Sequence, residues 1–396
     1  MTTEKIQELL QTGKTPLYVF DLGELAARIQ YLRQSLPENV ELCYAVKANT
    51  FIAKEAGKLV DLLEICSPGE YRICEEMGIP HSRFVVSGVN KQEDFIDASV
   101  ASDEPIGYYT AESKNQFLML LSAAEKNGRR IKVIPRLTSG NQFGIDKDEL
   151  KELIREYKDD SRVDICGIQF FSGTQKTIKK LRREIEFVDQ YLTDLEEETG
   201  YKAEKLEFGT GFPVAYFEGE TFDESAFLKE FSELLTGMRF TGTITLEIGR
   251  SIAASCGTYI TKVVDTKQNS GEHYAIVDGG MHQIVYYGQF MAMKHPKIRL
   301  LPERENTDPQ EWNICGSLCT INDFLVKKLP LSGLTVGDVL VFESAGAYCP
   351  TEGISLFLSR ELPRVILLDG AGNAIPVRDH IETAQFNMPQ NIEKQG

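Results

Sequence analysis

The stretch Glu41-Leu42-Cys43-Tyr44-Ala45-Val46-Lys47-Ala48-Asn49-Thr50 sets a short apolar, β-prone run against a lysine that arrives where the run ends. Its first half reads as a buried strand, and Ala48-Asn49-Thr50 as the turn after it. A lysine at a strand end either snorkels to the surface or points into a site. Held among apolar neighbours, its amine gives up a proton readily enough to act as a nucleophile in Schiff-base chemistry.

Outward from this stretch the same texture repeats. Strand-like runs occur near 40–47, 61–66, 83–87, 106–109, 131–137, 163–171, 204–208 and 242–247, with helical patterns such as Ala111–Asn127, Lys147–Glu156 and Ile178–Thr199 between them. Strands alternating with helices in this number predict an α/β architecture, a (β/α)8 barrel. Upstream, residues 4–12 read as a short helix, and Thr15–Leu22 as a strand feeding a helix through Gln34, with Asp21 placed to cap it. After about Thr258 the segments become short, β-rich and punctuated: Tyr274–Asp278 before Gly279-Gly280, Gly337–Phe342, and Arg364–Leu368 before Asp369-Gly370. That change predicts a second, mostly antiparallel β domain. The expected boundaries are 36–262 for the barrel, with 1–35 and 263–396 forming the β domain; polar Leu301–Gln310 is expected as a loop.

Composition narrows the function. The 396 residues carry 43 Lys+Arg against 59 Asp+Glu, a net charge of −16, and so lack the basic footprint that non-specific nucleic-acid binding needs. No run of roughly 18 apolar residues predicts a membrane span. Met1–Lys5 leads into a polar helix-like segment without an apolar core, so no export signal is expected and the location predicted is cytoplasmic. The eight cysteines contain no CxxC pair and read mostly as reduced core residues; no metal site is expected.

Four further stretches carry chemistry. In Glu207-Phe208-Gly209-Thr210-Gly211-Phe212-Pro213 the glycines suit either a tight strand-to-helix turn or a backbone nest for a phosphate. Leu246-Glu247-Ile248-Gly249-Arg250-Ser251 ends a buried-looking strand with a carboxylate and a permanently charged guanidinium. Gly167-Ile168-Gln169-Phe170-Phe171-Ser172-Gly173-Thr174-Gln175 presents two rings that also suit a plain core. Gly316-Ser317-Leu318-Cys319-Thr320-Ile321-Asn322-Asp323 places a thiol in a turn, and thiols ionise within reach of neutral pH.

Together with Tyr44-Ala45-Val46-Lys47-Ala48-Asn49 and Ala345-Gly346-Ala347-Tyr348, these stretches resemble the ordered motifs of the fold-type III pyridoxal-phosphate decarboxylases, the family of diaminopimelate and ornithine decarboxylases. The resemblance runs from Thr15 to about Arg378. It implies an alanine racemase-like barrel and β domain, with the strand near Pro16–Phe20 joining the latter. It also implies pyridoxal 5'-phosphate carried by Lys47, a phosphate held by Gly209, Thr210, Gly211, Gly249, Arg250, Thr174 and Tyr348, and Glu247 beside the ring nitrogen. Phe171 falls where the family stacks a histidine on the ring, and Thr210 where it has glycine. Glu64 and Arg136 match an acidic and a basic position near the cofactor, and both also suit structural roles. Cys319 matches a cysteine that crosses a homodimer interface to return a proton, so the implied active unit is a homodimer with two shared sites.

The substrate-reading positions depart from both well-known branches. Thr320 stands where they carry an acid for a distal amine, and Tyr286 where the diaminopimelate branch carries an arginine for a distal carboxylate. His282, Tyr286, Thr320 and Asp323 are the candidate substrate contacts, His282 equally suiting a structural role. The motifs resemble more closely a branch serving secondary-metabolite and siderophore pathways, some of whose members act on an aminoacyl group tethered to a carrier protein. The expected activity is therefore decarboxylation of an amino acid, free or carrier-bound, other than meso-diaminopimelate. The alternatives are diaminopimelate decarboxylation in lysine biosynthesis, an amino-acid racemase on the same fold, and a non-catalytic binding homologue.

Overall fold

The computed structural model describes residues 1–304 and 308–389, so 305–307 of the expected Leu301–Gln310 loop lie outside the described residues. Contacts divide the chain into two units, one of Ala26–Val214 with Phe222–Ile252 and one of Met1–Leu25, Ala215–Thr221 and Ala253–Gly396. Two changeovers fall inside the helix Leu22–Ser35 and just before the strand Gly257–Asn269, earlier than the 35/36 and 262/263 boundaries expected from sequence, and two more set off Ala215–Thr221, which was expected in the barrel.

The first unit is a closed parallel barrel. Strands Val40–Ala45, Leu62–Ile65, Phe84–Val86, Tyr108–Ala111, Ile131–Leu137, Gly167–Phe170, Lys205–Gly209 and Thr243–Ile248 pair in that order, and the last pairs with the first. The four residues of Leu62–Ile65, the three of Phe84–Val86 and the five of Lys205–Gly209 are all buried, as parallel strands covered on both faces must be. The expected strand 163–171 is two pieces, Val163–Ile165 and Gly167–Phe170, which pair with opposite ends of Ile131–Leu137. Helices between strands form where predicted, including Lys147–Tyr157 and Ile178–Thr199, the latter capped by Thr177 accepting from the Lys180 amide.

The second unit is a nine-stranded sheet. Leu17–Asp21 pairs antiparallel with Gly257–Asn269 and parallel with Arg364–Leu368, so this early strand does join the β unit. The Asp21 carboxylate accepts the Gly23 and Glu24 amides, capping the next helix as predicted. Helix Thr3–Thr12 lays Ile6 and Leu9 on Leu17, Val19, Ile260, Val341, Ile366 and Leu368. Each such side chain removed from water stabilises the unit by about 1.5–3 kcal/mol.

Candidate active site

Lys47 owes its position to a locked turn. The strand Val40–Ala45 runs into the short 3-10 turn Val46–Ala48, the Asn49 amide returns to the Val46 carbonyl at 3.1 Å, and the Asn49 side chain accepts the Phe51 amide at 3.0 Å. Tyr44 Oη donates to the Asn49 carbonyl at 2.9 Å from below. The lysine Nζ thereby stands 2.7 Å from Glu64 Oε2, 3.5 Å from Glu247 Oε1 and 3.6 Å from Cys66 Sγ. Its side chain is one-third exposed while Glu64 and Glu247 are almost completely buried, so the amine is the part of the cluster open to a ligand.

The carboxylates outnumber the cation. Gln169 Nε2 bridges Glu207 Oε1 at 3.0 Å and Glu247 Oε2 at 3.2 Å, bringing a third buried acid into the set. Burial pushes the Glu247 carboxyl up, and the charge of Glu64 pushes it further, against the pull of Lys47. Burial also raises Glu207, to about 7, with Glu64 adding to it. For Glu64 burial acts upward too, but the Lys47 charge and hydrogen bonds from Glu247, Lys47 and Cys66 overcome it and hold the group down. Glu247 is thus the acid of the pair pushed toward its protonated form, and Glu64 the one held as a carboxylate.

Next to it lies a patch suited to an anion. A Cβ at Gly209 would stand 2.2 Å from Phe171 Cδ2, so only glycine lets this ring lie across the strand end. Gly211 has φ +56°, and its Cβ would meet the Gly173 carbonyl oxygen at 2.2 Å. Arg250 Nε donates to Thr174 Oγ1 at 3.2 Å, and Ser251 keeps a buried hydroxyl without a partner among the described residues. Thr210 spends its hydroxyl on the Glu247 carbonyl at 3.3 Å, and Gly249 accepts the Ile252 amide at 3.2 Å in the turn before Arg250.

Sequence reasoning missed several members. Lys176, completely buried, donates to Glu184 Oε2 and to the Gly209 carbonyl, both at 2.8 Å, under the Phe171 ring. Burial lowers its pKa against the pull of Glu184. Arg136, already matched from sequence to a basic position, binds Glu112, which was missed, at 2.7 Å and the Phe171 carbonyl at 3.2 Å. Gln169 and Glu207 were legible only as parts of motifs; Lys176 and Glu184 follow no spacing that would pair them.

The remaining predicted residues belong to the β unit. Cys319 is exposed in the turn 316–323. Asp323 is buried inside that turn, accepting the Met281 and Leu318 amides at 2.8 Å each. Thr320 caps the same turn locally, and Tyr348 sits in a bend at φ +65°. Tyr286 is buried and donates to the Glu343 carbonyl at 2.6 Å, so its hydroxyl is committed within the unit. His282 is buried beside Gly280 with neither ring nitrogen partnered among the described residues. Among the described residues no helix is long and apolar enough to cross a membrane, and no cluster of His, Cys, Asp and Glu could hold a metal.

A closed parallel barrel with a lysine at one strand end, a partly protonated acid beside it and a glycine-lined cationic patch defines a lysine-anchored pyridoxal-phosphate enzyme: the acid suits a protonated ring nitrogen and the patch a phosphate. The family model described as pyridoxal-dependent decarboxylase, C-terminal sheet domain, matches residues 17–346. The chain belongs to the pyridoxal-dependent decarboxylase family and is an amino-acid decarboxylase. It is 29% identical to the diaminopimelate decarboxylase of Aquifex aeolicus over 367 residues, 87% of this chain and 84% of that one. It is 26% identical to the L-glutamyl-[BtrI acyl-carrier protein] decarboxylase of Niallia circulans over 393 residues, 92% and 91% of the two chains. The crystal structure of AQ1208 from Aquifex aeolicus superposes with a TM-score of 0.84 at 27% identity, covering 96% of this chain and 92% of that one.

Proposed function

We propose that this decarboxylase removes the α-carboxylate of an amino acid or aminoacyl derivative other than meso-diaminopimelate, giving an amine and CO2. The observation that carries this reading is the distal end. Thr320 supplies a neutral hydroxyl where an ammonium would need an acid, and the Tyr286 hydroxyl is spent on a carbonyl where a distal carboxylate would need a cation. A substrate charge brought there unpaired would cost several kcal/mol.

Pyridoxal phosphate, when bound, supplies the electron sink for the pair left as CO2 departs. Lys47 would hold it through its amine, and Phe171, at the end of the same barrel strands, would pack against it. Glu247 would keep a proton at the ring nitrogen; Gly209, Gly211, Gly249, Arg250 and Thr174 would receive the phosphate, with Tyr348 reaching it from a second copy, while Thr210, expected there from sequence, has its amide and hydroxyl both on the Glu247 carbonyl. Cys319, reaching the barrel of a second copy, returns the proton to the substrate carbon. The working unit in this reading is a cytoplasmic homodimer joined through the β domain.

The test is CO2 release from the cofactor-loaded enzyme with diaminopimelate, lysine, ornithine, arginine, glutamate and aromatic amino acids. Efficient turnover of meso-diaminopimelate would refute the reading and favour the activity of the Aquifex relative. Silence across the free amino acids directs the test to carrier-protein thioesters, the substrate form named for the Niallia relative. Racemisation is tested by chiral analysis of the same mixtures; the cysteine turn speaks against it.

A further inference from the structure

We infer that Lys176, paired with Glu184, is a positioning residue of this decarboxylase: it moors the glycine loop 209–211 and the Phe171 ring, and so sets how firmly the phosphate end of the cofactor is held. The inference rests on the reading above that this loop receives the phosphate, and is independent of which amino acid is decarboxylated.

Three observations, all within the barrel unit, converge on it. First, Lys176 is tied to the loop twice. Its Nζ donates to the Gly209 carbonyl at 2.8 Å and its backbone amide to the Gly211 carbonyl at 2.9 Å. A Cβ on Gly211 would stand 2.9 Å from Lys176 Cε, so the lysine stem itself packs against the loop. The amide and carbonyl of a trans peptide point opposite ways, so fixing the Gly211 carbonyl also fixes the direction of the Phe212 N–H. Second, the cation is enclosed. Glu184, on the helix Ile178–Thr199, accepts from it at 2.8 Å, and the Phe171 and Phe208 ring centroids each lie 5.3 Å from Nζ. Ser172 Oγ donates to the other oxygen of Glu184, which fixes the acid in turn. Third, the chain entering Lys176 is locked. Gln175 lies at φ +53°, in the left-handed region, and its side chain donates to the Val214 carbonyl at 3.0 Å while accepting the Val214 amide at 2.7 Å.

Stability does not account for this arrangement. Apolar side chains of similar volume in place of a buried ion pair would serve the fold as well or better. They could not hold the Gly209 carbonyl or keep a cation beside the Phe171 ring, which crosses Gly209 where a Cβ would stand 2.2 Å from it. The same segment carries Thr174, two residues before Lys176, whose hydroxyl meets Arg250 Nε at 3.2 Å. Lys176 thus anchors the glycine loop, the ring and the hydroxyl of the cationic patch at one point.

The test is made on the full-length enzyme, stripped of cofactor and refilled with pyridoxal 5'-phosphate or with pyridoxal, which lacks the phosphate. Both react with Lys47, so the change in their Kd ratio between variants isolates the phosphate. Lys176→Met keeps the stem and removes Nζ; Lys176→Met combined with Glu184→Gln also removes the acid's charge, and carries the test if the single variant does not fold. In both, the preference for the phosphorylated form is expected to fall about tenfold while pyridoxal itself binds within about twofold of the unaltered enzyme, and the phosphorus NMR signal of the bound cofactor is expected to shift. An unchanged preference, or equal weakening of the two ligands, overturns the inference. Failure of both variants to fold also overturns it, making the pair a brace of the barrel. The absence of any preference in the unaltered enzyme overturns the phosphate reading itself, so the two failures are told apart.

Discussion

At the mouth of the barrel the charged side chains stand in pairs, Lys47 with Glu64 and Glu247, Arg136 with Glu112, Lys176 with Glu184, although Arg136 Nε, Gln169 Oε1, Glu207 Oε2 and Ser251 Oγ are buried there without a partner among the described residues. In the loop cluster of the β unit they do not: Cys319 is exposed, and His282 and Ser317 hold buried polar atoms with no partner among the described residues. A polar network that closes on itself fixes geometry, whereas one left open costs stability until something binds. In the function proposed above, the barrel supplies the lysine and acids of the reaction, and the β unit the positions at which substrates would be told apart.

The sharpest way to break this division is at Lys47. Lys47→Ala is expected to lower CO2 release by on the order of a thousandfold or more for every substrate, and to abolish the covalent cofactor adduct seen by mass spectrometry after borohydride reduction. Near-normal amine production would remove the barrel from the chemistry. Cys319→Ala comes next, at about a hundredfold, with products altered in how the carbon is reprotonated. An unchanged product and rate would leave the exposed thiol without a role.

What was legible follows the same line. The barrel strands could be read because each is a short apolar run closed by turn residues, and Lys47 because a charge interrupts one. The break at Cys166 could not, since it depends on Gly167 lying against the Lys205 carbonyl, where a Cβ would stand at 1.7 Å, a contact 38 residues away by sequence (205 − 167). Lys176 and Glu184 were hidden for a related reason: a charged residue buried by its partner looks, in sequence, like any surface charge. Tyr286 was legible as a departure from a pattern, but its commitment to the Glu343 carbonyl is set by tertiary packing.

The pH dependence of the barrel cluster offers a finer test. Burial first, and then Glu64, raises the Glu207 carboxyl from 4.5 to about 7. The folded protein thus binds more protons than the unfolded chain between those values, so this group's contribution to stability declines as pH rises through the window and is lowest above about 7. Glu207→Gln keeps an acceptor for Gln169 and removes the penalty. The variant is expected to gain about 2 kcal/mol over the unaltered enzyme at pH 8 and little at pH 4.5, measured by denaturant unfolding at matched cofactor content. A gain independent of pH would show that Glu207 does not bear this load.

The smallest effect expected sharpens the other half of the comparison. Asp323 was read from sequence as a substrate contact, yet its oxygens hold the amides of Met281 and Leu318, and its carbonyl accepts the Gly316 amide at 2.9 Å. These bonds tie both ends of the turn that bears Cys319 to the loop that bears His282. Asp323→Ala leaves two buried amides unpaired and loosens the turn, for an expected fall of about tenfold in turnover, equivalent to about 1.4 kcal/mol. Asp323→Asn, which retains one acceptor oxygen, should fall between. If Asp323 acts by positioning, the losses track the rate of Cys319 alkylation and are equal for all substrates; if it touches substrate, they appear in KM and differ from one amino acid to the next. The first pattern would make even this charged residue part of the scaffold that carries Cys319.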